Sequence, residues 1–381
     1  MLATHYSRFR VSERILLTGH SHQAWPDIAF DAQQRAWLDA AERVDDKWER
    51  AAEVADAVRA GFRALLNDPA GDIALGQNTH ELVVRLLSAL DLRSRPKLLT
   101  TDGEFHTIRR QVDRLAEAGV DVLKAAAHPA DTLAERLARS VDDRTACVLV
   151  SSVLFETAEI VPNLSVLARA CERYGATLLV DAYHQVNVVP FDISTMGLSP
   201  AFVTGGGYKY CQLGEGNCFL RIPPGCDLRP VITGWFSEFE AIAATARSGE
   251  VPYGSGAARF AGSTYDPTSH YRAAAVFAFH RDHGLTPSRL REISRRQVGV
   301  LQARFEALDL DGRVAHVVPM AEERRGGFLA IRSPRAVEIV TRLRTRSVFA
   351  DARGDVLRLG PAPYLADQQL MDGVEALREC V

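Results

Sequence analysis

The sequence contains few cysteines and no long apolar stretch. Its six cysteines form no CxxC pair, so neither a zinc site nor a disulfide framework is indicated. No apolar run reaches the roughly 18 residues that a membrane-spanning helix needs. The N-terminus also lacks the apolar segment of a signal peptide. We therefore expect a cytoplasmic protein without a membrane partner.

An excess of charge of one sign is also absent. Lys and Arg total 45 and Asp and Glu total 48, which gives a net charge of −3. No basic stripe stands out, so nucleic acid is not expected as a partner. The 47% hydrophobic content is that of an ordinary globular protein. With 381 residues, the chain exceeds the usual size of one core, and two domains are expected.

Apolar runs and helical patterns alternate through the first two thirds of the chain. The apolar runs that predict strands are 97–101, 120–124, 146–150, 177–180 and 201–204. The patterns that predict helices are 26–66, 79–90, 107–119, 130–139 and 163–174. This alternation predicts an α/β fold, with a mostly parallel sheet flanked by helices. In such sheets, ligands bind beyond the carboxyl ends of the strands.

The pattern changes after about residue 265. A long helix is predicted at 267–308, followed by an α+β section that has strands at 327–331, 348–350 and 356–359 and a helix at 334–345. We therefore predict three segments. Residues 1–25 form an N-terminal arm that packs near the small domain, 26–264 form the large domain, and 265–381 form a smaller C-terminal α+β domain.

Two candidate residues follow predicted strands directly. Asp181 ends the run 177–180, where a carboxylate needs a cationic or hydrogen-bonding partner. A protonated pyridine nitrogen is one such partner, and a helix N-cap or an arginine is another. Lys209 follows three glycines after the strand 201–204. Its amine could react with an aldehyde cofactor, or it could be the solvated lysine of a surface turn. The P-loop pattern is not met.

Two further segments have the same kind of position. Asn78 and Thr79 begin a predicted helix, whose N-terminus could bind a phosphate or could simply be capped by these side chains. Phe105 follows the strand 97–101 and could stack on a planar cofactor or pack in the core.

Taken together, these segments resemble fold-type I enzymes that use pyridoxal phosphate (PLP), within the class V aminotransferase superfamily, and most closely the kynureninases. The segments that carry the resemblance are 17–26 (LTGHSHQAWP), 181–184 (DAYH), 208–210 (YKY), 234–236 (GWF), 259–264 (RFAGST) and 356–361 (VLRLGP). Asp181 and Lys209 are separated by about 28 residues, a spacing typical of this superfamily. The resemblance covers nearly the whole chain.

The resemblance implies PLP as the cofactor and assigns roles in binding it. Lys209 would carry PLP as a Schiff base and then shuttle protons. Asp181 would pair with the pyridine nitrogen, and Phe105 would stack on the ring. The implied cofactor contacts also include His184 near the 3-oxygen, Asn78, Thr79 and Tyr208 near the phosphate, and Trp235. Lys209, Asp181 and His184 are the implied catalytic residues.

The resemblance also implies how the substrate, a free L-α-amino acid, is held. Arg358 would bind its α-carboxylate as a two-pronged clamp. His20, Ser21 and Phe236 would line the substrate pocket. Thr264 would reach the cofactor from the neighbouring subunit, which implies a homodimer with composite active sites.

Three positions depart from the kynureninase pattern. Ile108 stands where kynureninases usually have an aspartate, Phe236 replaces the second tryptophan of Gly-Trp-Trp, and 19–22 (GHSH) replace an Asn-Ser-Leu-Gly-like turn. Two histidines in that turn invite a metal interpretation, but no third ligand is nearby. We therefore predict no metal site and a polar lining of the substrate pocket.

The reaction is left open between several classes. The cysteine desulfurases and selenocysteine lyases of this superfamily need a catalytic cysteine on a loop of the C-terminal domain, and no cysteine occurs here between Cys226 and Cys380, so persulfide chemistry is not expected. A kynureninase-like cleavage at Cβ fits the motifs best. A C–S β-lyase acting on a cysteine conjugate, an aminotransferase and a decarboxylating deaminase are alternatives. A PLP-fold binding protein without catalysis is a hypothesis of another class.

Overall fold

The structure is a computed structural model that describes residues 2–241 and 249–381. The helices are α1 (Ile28–Arg43), α2 (Lys47–Leu65), α3 (Thr79–Ser88), α4 (His106–Glu117), α5 (Leu133–Ser140), α6 (Leu164–Tyr174), α7 (Thr268–Asp282), α8 (Pro287–Glu306), α9 (Ala336–Arg344) and α10 (Asp367–Arg378). The strands are β1 (Ile15–Leu16), β2 (Asp72–Gly76), β3 (Lys97–Thr101), β4 (Asp121–Ala125), β5 (Thr145–Ser151), β6 (Thr177–Asp181), β7 (Phe202–Gly206), β8 (Cys218–Ile222), β9 (His316–Val317), β10 (Leu329–Arg332), β11 (Val348–Phe349), β12 (Asp351–Arg353) and β13 (Val356–Leu359).

A seven-stranded sheet forms the centre of the molecule, in the order β2-β8-β7-β6-β5-β3-β4. The neighbours from β7 to β4 are parallel, and β8 runs antiparallel to both β2 and β7. β5 and β7 are buried along their whole length, as expected for strands covered by helices on both faces. The predicted α/β fold with a mostly parallel sheet is confirmed.

Strand β8 was not among the predicted strands, and its sequence shows why. Cys218–Ile222 carries Arg221 in its interior, and this side chain is almost completely buried. The charge is compensated by Asp68, whose Oδ2 lies 2.8 Å from Arg221 Nε, and by the carbonyl oxygens of Ser199 and Ala201. An arginine breaks the apolar run that sequence patterns detect, although its partners make burial possible.

Two predicted long helices are each divided in the structure, so both of these predictions were wrong in length. The region 26–66 forms α1 and α2, which are separated by a 3₁₀ turn at Val44–Asp46. The region 267–308 forms α7 and α8. The break follows from Gly284, whose φ is +64°, and from Thr286, whose hydroxyl caps α8 by accepting the Arg289 N–H.

The C-terminal part contains a second sheet, in the order β12-β13-β10-β9. The N-terminal residues join this part, because β1 pairs in parallel with β11 and Thr18 forms a bridge with Gly360. One buried cluster contains Tyr6, Val11 and Leu17 together with side chains of β10, β13 and α10. The predicted boundaries at 25 and 264 remain a prediction. α7, beyond the second boundary, places Ala273 and Val276 in the core of the large sheet.

Within the described ranges, no helix has both the length and the apolar composition that crossing a membrane requires.

Candidate active site

The carboxyl ends of six of the seven strands lie at one edge of the large sheet, because β4 is parallel to β3. β3, β5, β6 and β7 are mutually parallel, and β2 runs in the same direction because β8 is antiparallel to it and to β7. A cavity of about 280 Å³ lies at this edge, close to the volume of a small-ligand pocket. Seven predicted site residues line it: Asn78, Thr79, Phe105, Asp181, His184, Tyr208 and Lys209.

Lys209 differs from the other lysines of the chain in what surrounds its amine. The chain has four lysines, Lys47, Lys97, Lys124 and Lys209. Lys97 Nζ donates to Ser140 O and to Asp142, and Lys124 pairs with Asp113. Lys209 is only 6% exposed and Nζ lies 2.6 Å from His184 Nε2. Its amine is therefore buried in the cavity wall next to an imidazole and is not held by a bonded carboxylate.

This environment favours the neutral form of the amine. Burial lowers the pKa of Lys209 to about 7, and the nearby Asp181 carboxylate opposes the shift only in part. Nζ also lies 4.7 Å from the centre of the Tyr183 ring and 5.4 Å from that of Phe105. A neutral amine enclosed by aromatic rings is a nucleophile. The surface-turn interpretation of this lysine is not compatible with its burial.

Asp181 lies at the end of β6 and faces the same cavity. Its Oδ1 accepts the Tyr183 N–H at 2.9 Å, which fixes the carboxylate at the strand end. Burial raises the pKa of Asp181 above its ordinary value, against the effect of this hydrogen bond and of Lys209. A cationic ligand beside it would offset that desolvation.

The close packing behind Asp181 requires a glycine at the end of β7. A Cβ on Gly206 would lie 2.3 Å from the Tyr183 hydroxyl and 2.6 Å from Cys218 Sγ. Tyr183 and Cys218 both form part of the cavity wall. Glycine at position 206 therefore leaves the space that the Tyr183 and Cys218 side chains occupy in the cavity wall.

His184 is buried between Lys209 and Phe328, which precedes β10. Burial lowers the pKa of His184 well below its ordinary value, and the charges of Lys209 and Arg358 act in the same direction. The ring is therefore neutral. Its Nδ1 is buried and has no hydrogen-bond partner among the residues that the structure describes. A buried imidazole nitrogen without a partner is unusual unless a ligand completes it.

Glu104 connects two of the strand ends beneath the cavity. Its Oε1 accepts the Thr101 hydroxyl at 2.7 Å and the Ser151 N–H at 3.1 Å, and Oε2 accepts the Ser151 hydroxyl at 2.6 Å. Burial, the largest influence, raises the pKa of Glu104 to about 7. This carboxyl ties β3 to β5 and so fixes the start of α4, where Phe105 lies.

The N-terminus of α3 closes one end of the cavity. Asn78 Oδ1 accepts the Glu81 N–H at 2.9 Å, so Asn78 is the N-cap of this helix. Thr79, the first helical residue, lines the cavity. A ten-residue helix presents free N–H groups and a positive dipole end at this point. The structure thus shows the capping role of Asn78, and Thr79 is in a position to meet an anionic group.

Arg358 lies beside the cavity in β13, 2% exposed. Its guanidinium donates from Nε to Asp351 Oδ1 at 2.9 Å, from Nη2 to Asp351 Oδ2 at 2.5 Å and from Nη1 to Phe155 O at 2.6 Å. His20 Nε2 lies 2.7 Å from the same Asp351 Oδ1. The N-terminal residues and the C-terminal sheet thus meet at this arginine.

The remaining predicted residues lie outside the cavity. The Trp235 indole N–H donates to the Thr264 hydroxyl at 3.2 Å, and both residues are exposed. Phe236 packs against Trp48 and Tyr265. Ser21 is half-buried and its hydroxyl lies 3.4 Å from His22 Nδ1. The two histidines of the turn diverge, since His22 stacks on Tyr208 whereas His20 contacts Asp351.

The structure adds residues that the sequence interpretation did not select. Tyr183, Ser151, Phe155 and Cys218 line the cavity. Ser151 follows a predicted strand directly, and this position could have identified it. Cys218 gave no signal of its own, and burial raises its pKa to about 12, so it is a thiol and not a thiolate. The positions of Asp351, Arg358 and His20 in the sequence did not indicate that their side chains are in contact.

These residues fit PLP, the cofactor that the motifs imply. A buried amine faces the cavity with a carboxylate and an aromatic ring, and the N-terminus of α3 lies in the same wall. The unpartnered His184 Nδ1 provides a further polar atom that a bound group would satisfy. Lys209 complements the aldehyde of the cofactor and Asp181 its pyridine nitrogen. Phe105 complements the planar ring, and the N-terminus of α3 complements the phosphate.

Comparisons with known proteins agree with this geometry. Residues 290–377 match the family described as "Kynureninase C-terminal domain". Over 332 residues the chain is 22% identical to the "Uncharacterized aminotransferase YcbU" of Bacillus subtilis (strain 168), covering 87% of this chain and 85% of that protein. It is 27% identical to a kynureninase of Deinococcus radiodurans, covering 84% of this chain and 78% of the relative.

Two solved structures share the fold. A C-DES mutant with glycine covalently linked to the PLP cofactor superposes with a TM-score of 0.84 at 18% identity, covering 99% of both chains. A complex of "the cystine C-S lyase C-DES" with its product cysteine persulfide has a TM-score of 0.83 at 18% identity, covering 97% of this chain and 99% of the other. These findings confirm the similarity to kynureninase-like, PLP-dependent enzymes of the class V aminotransferase superfamily and the fold-type I architecture.

Proposed function

We propose that the protein is a PLP-dependent enzyme that cleaves a bond at Cβ of an L-α-amino acid, in the manner of a kynureninase. The observation that carries the proposal is the buried Lys209 amine, whose pKa is lowered to about 7 and which faces Asp181 and Phe105 in one cavity. The match of residues 290–377 to the kynureninase C-terminal domain supports the choice of reaction class.

Each side chain of the cavity has a proposed task. PLP supplies an electron sink that stabilises negative charge developing at Cα of the substrate. Lys209 binds the cofactor and, once released, holds and moves the proton at Cα. Asp181 keeps the pyridine nitrogen protonated, and Phe105 orients the ring. The α3 N-terminus at Thr79, together with Tyr208, binds the phosphate.

Arg358 is the proposed ligand of the substrate α-carboxylate. It lies next to the cavity, and its charge acts on both Lys209 and His184. His184, which is neutral and 2.6 Å from the lysine amine, is placed to exchange a proton with Lys209 or to contact a polar oxygen of the cofactor. Together these groups would orient the substrate so that its Cα–H faces the lysine.

We also propose a homodimer with composite sites. Trp235 and Thr264 are hydrogen-bonded to each other, exposed, and absent from the wall of their own chain's cavity. They are therefore available to a second copy. Light scattering should give twice the monomer mass of 41.8 kDa. A mixture of Lys209→Ala with Thr264→Ala should show more activity than either variant alone.

A second candidate function is cleavage of a Cβ–S bond. Ile108, at the position where kynureninases usually have an aspartate, is 1% exposed and packs in an apolar cluster with Val112 and Leu98. It supplies no charge to the cofactor. This difference from the kynureninases supports a β-lyase as the second candidate. Persulfide formation on the protein is disfavoured because Cys218, which lines the cavity, remains protonated.

One incubation series separates these reactions. The PLP-loaded protein is incubated with L-kynurenine, 3-hydroxykynurenine and S-methyl-L-cysteine, and anthranilates, alanine, pyruvate and thiol are quantified. Anthranilate with alanine supports the kynureninase-like proposal, and pyruvate with thiol supports the β-lyase. Transfer of the amino group to a keto acid without Cβ cleavage would overturn both. The matched control is Lys124→Ala, which removes an exposed lysine and should react like the native protein.

A further inference from the structure

Arg358 is already bound to an internal carboxylate. Asp351 and Arg358 are directly opposed residues of the antiparallel strands β12 and β13. Two parallel hydrogen bonds join the guanidinium to both oxygens of Asp351, at 2.9 and 2.5 Å. Such a two-pronged contact fixes the plane of the guanidinium as well as its position.

The geometry leaves a defined part of Arg358 for a ligand. A guanidinium has five N–H donors. Asp351 takes two of them and the Phe155 carbonyl takes a third, at 2.6 Å from Nη1. Among the described residues no further acceptor is bonded to this side chain, so two donors remain. Two donors are what a substrate carboxylate needs for a bidentate contact of its own.

Asp351 is in turn held by His20. Although burial alone would raise it, hydrogen bonds from His20 and Arg358 hold the pKa of Asp351 well below its usual range. Burial lowers the pKa of His20 to about 4, so the ring is neutral and donates its Nε2 hydrogen to Asp351. Arg358, Asp351 and His20 thus form a cluster, called the Arg358 cluster below, of one cation, one anion and one neutral donor.

The approach of His20 depends on the crossing of the N-terminal arm with the end of β13. The Gly19 N–H donates to Gly360 O, and the Gly360 N–H donates to Leu17 O, each at 2.8 Å. A Cβ on Gly360 would lie 2.2 Å from His20 Nδ1. The backbone of the arm is therefore fixed against the strand that carries Arg358, and His20 is completely buried there.

We infer that His20 and Asp351 are positioning residues that orient the Arg358 guanidinium and neutralise its charge, so that it accepts one carboxylate in one orientation. The N-terminal arm thereby sets the recognition of the substrate carboxylate, which rests on the proposed function of Arg358. The centre of the Phe328 ring lies 4.6 Å from the centre of the His20 ring and 5.6 Å from Arg358 Cζ, so an apolar ring covers one side of the contact.

Neutral substitutions of His20 test the positioning role without changing charge. His20→Leu removes the donor to Asp351, whereas His20→Gln keeps an N–H at the side-chain end. The readout is the dissociation constant of L-alanine and of ethylamine, its analogue without a carboxylate, measured by the change in cofactor absorbance. We expect His20→Leu to weaken L-alanine about tenfold, the equivalent of one charge-assisted hydrogen bond, and to leave ethylamine unchanged. His20→Gln should restore most of the loss.

Asp351→Asn tests the neutralising role independently and does not depend on the folding of the His20 variants. It keeps the size of the side chain and leaves Arg358 as an uncompensated buried cation. Acetate should then compete with L-alanine about tenfold more strongly than in the native protein. Asp355→Asn, which removes the exposed pair with Arg332, is the matched control and should change neither ligand.

Two results would overturn the inference. One is equal weakening of L-alanine and ethylamine in His20→Leu, which would indicate a general structural role. The other is unaltered acetate competition in Asp351→Asn. A native protein whose cofactor absorbance does not respond to L-alanine contradicts the proposed function instead, so the two failures are distinguishable.

Discussion

The cofactor cavity and the Arg358 cluster are both buried polar sites, but they are built in opposite ways. The cavity collects residues that follow successive parallel strands, so each of them lies next to an apolar run in the sequence. The cluster joins His20 to Asp351 across a sequence separation of 331 residues. In the cavity the lysine amine has no bonded anion among the described residues, whereas in the cluster the arginine is paired with the Asp351 carboxylate.

This difference matches the chemistry proposed for the two regions. A nucleophilic amine must lose its proton, and burial away from a bonded carboxylate promotes this. A carboxylate receptor must keep its charge and its orientation, and a guanidinium held by an internal carboxylate does both. One region therefore uses desolvation to change the protonation of its central group, and the other uses pairing to orient a group that stays protonated and to offset its charge.

The largest expected effect is on the cavity. Lys209→Ala should lower the rate of substrate turnover by at least ~10³-fold, because it removes both the covalent anchor and the proton carrier. Activity with the best substrate of the incubation series is the measurement. Lys124→Ala is the control, since this lysine pairs with Asp113 on the surface. Substantial turnover in Lys209→Ala would show that the cavity does not depend on a reactive lysine amine, and so would contradict the difference proposed between the two regions.

The second prediction concerns pH. Burial lowers the pKa of Lys209 from 10.5 to about 7, so the amine is protonated below that pH and neutral above it. The rate at which the cofactor-free protein captures PLP should therefore rise with a midpoint near pH 7. Stopped-flow absorbance measures the rate, and Lys209→Ala should show no such phase. A midpoint near 10 would mean that desolvation does not govern this amine.

The third prediction concerns the cluster. Arg358→Lys keeps the charge but loses the planar fork, so it should raise KM for the amino-acid substrate about 10- to 100-fold, which is roughly 1.4–2.8 kcal/mol. The effect on kcat should be smaller. Steady-state kinetics measures both constants. The control is Arg332→Lys, an exposed arginine of β10 that pairs with Asp355. An unchanged KM would show that Arg358 does not bind the substrate.

The smallest expected effect separates capping from cofactor binding at α3. Asn78→Ala should lower the free energy of unfolding by about 1 kcal/mol, the usual cost of losing an N-cap, because Asn78 Oδ1 accepts the Glu81 N–H. Affinity for PLP should change little, and Asn78→Asp, which retains the acceptor, should restore stability. Denaturant unfolding and PLP titration measure the two quantities. A large loss of PLP affinity with unchanged stability would reverse this assignment.

The sequence was sufficient to predict five of the seven strands of the large sheet, β3 to β7, because most of them are continuous apolar runs whose ends carry the site, but it missed the edge strand β2. The same reasoning missed β8, where Arg221 interrupts the run and is compensated by the distant Asp68. It placed Arg358 and His20 in one substrate site by resemblance, but not the Asp351 contact that joins them. Contacts between distant segments leave no periodic signal, and only the folded chain shows them.

Covalent attachment of PLP to Lys209 is the step on which the other proposed roles depend. Its most direct test is reduction of the PLP-loaded protein with borohydride, followed by peptide mass spectrometry. We expect the cofactor mass on the peptide that contains Lys209 and on no other lysine peptide. Cofactor on Lys47, Lys97 or Lys124, or no labelled peptide at all, would contradict it.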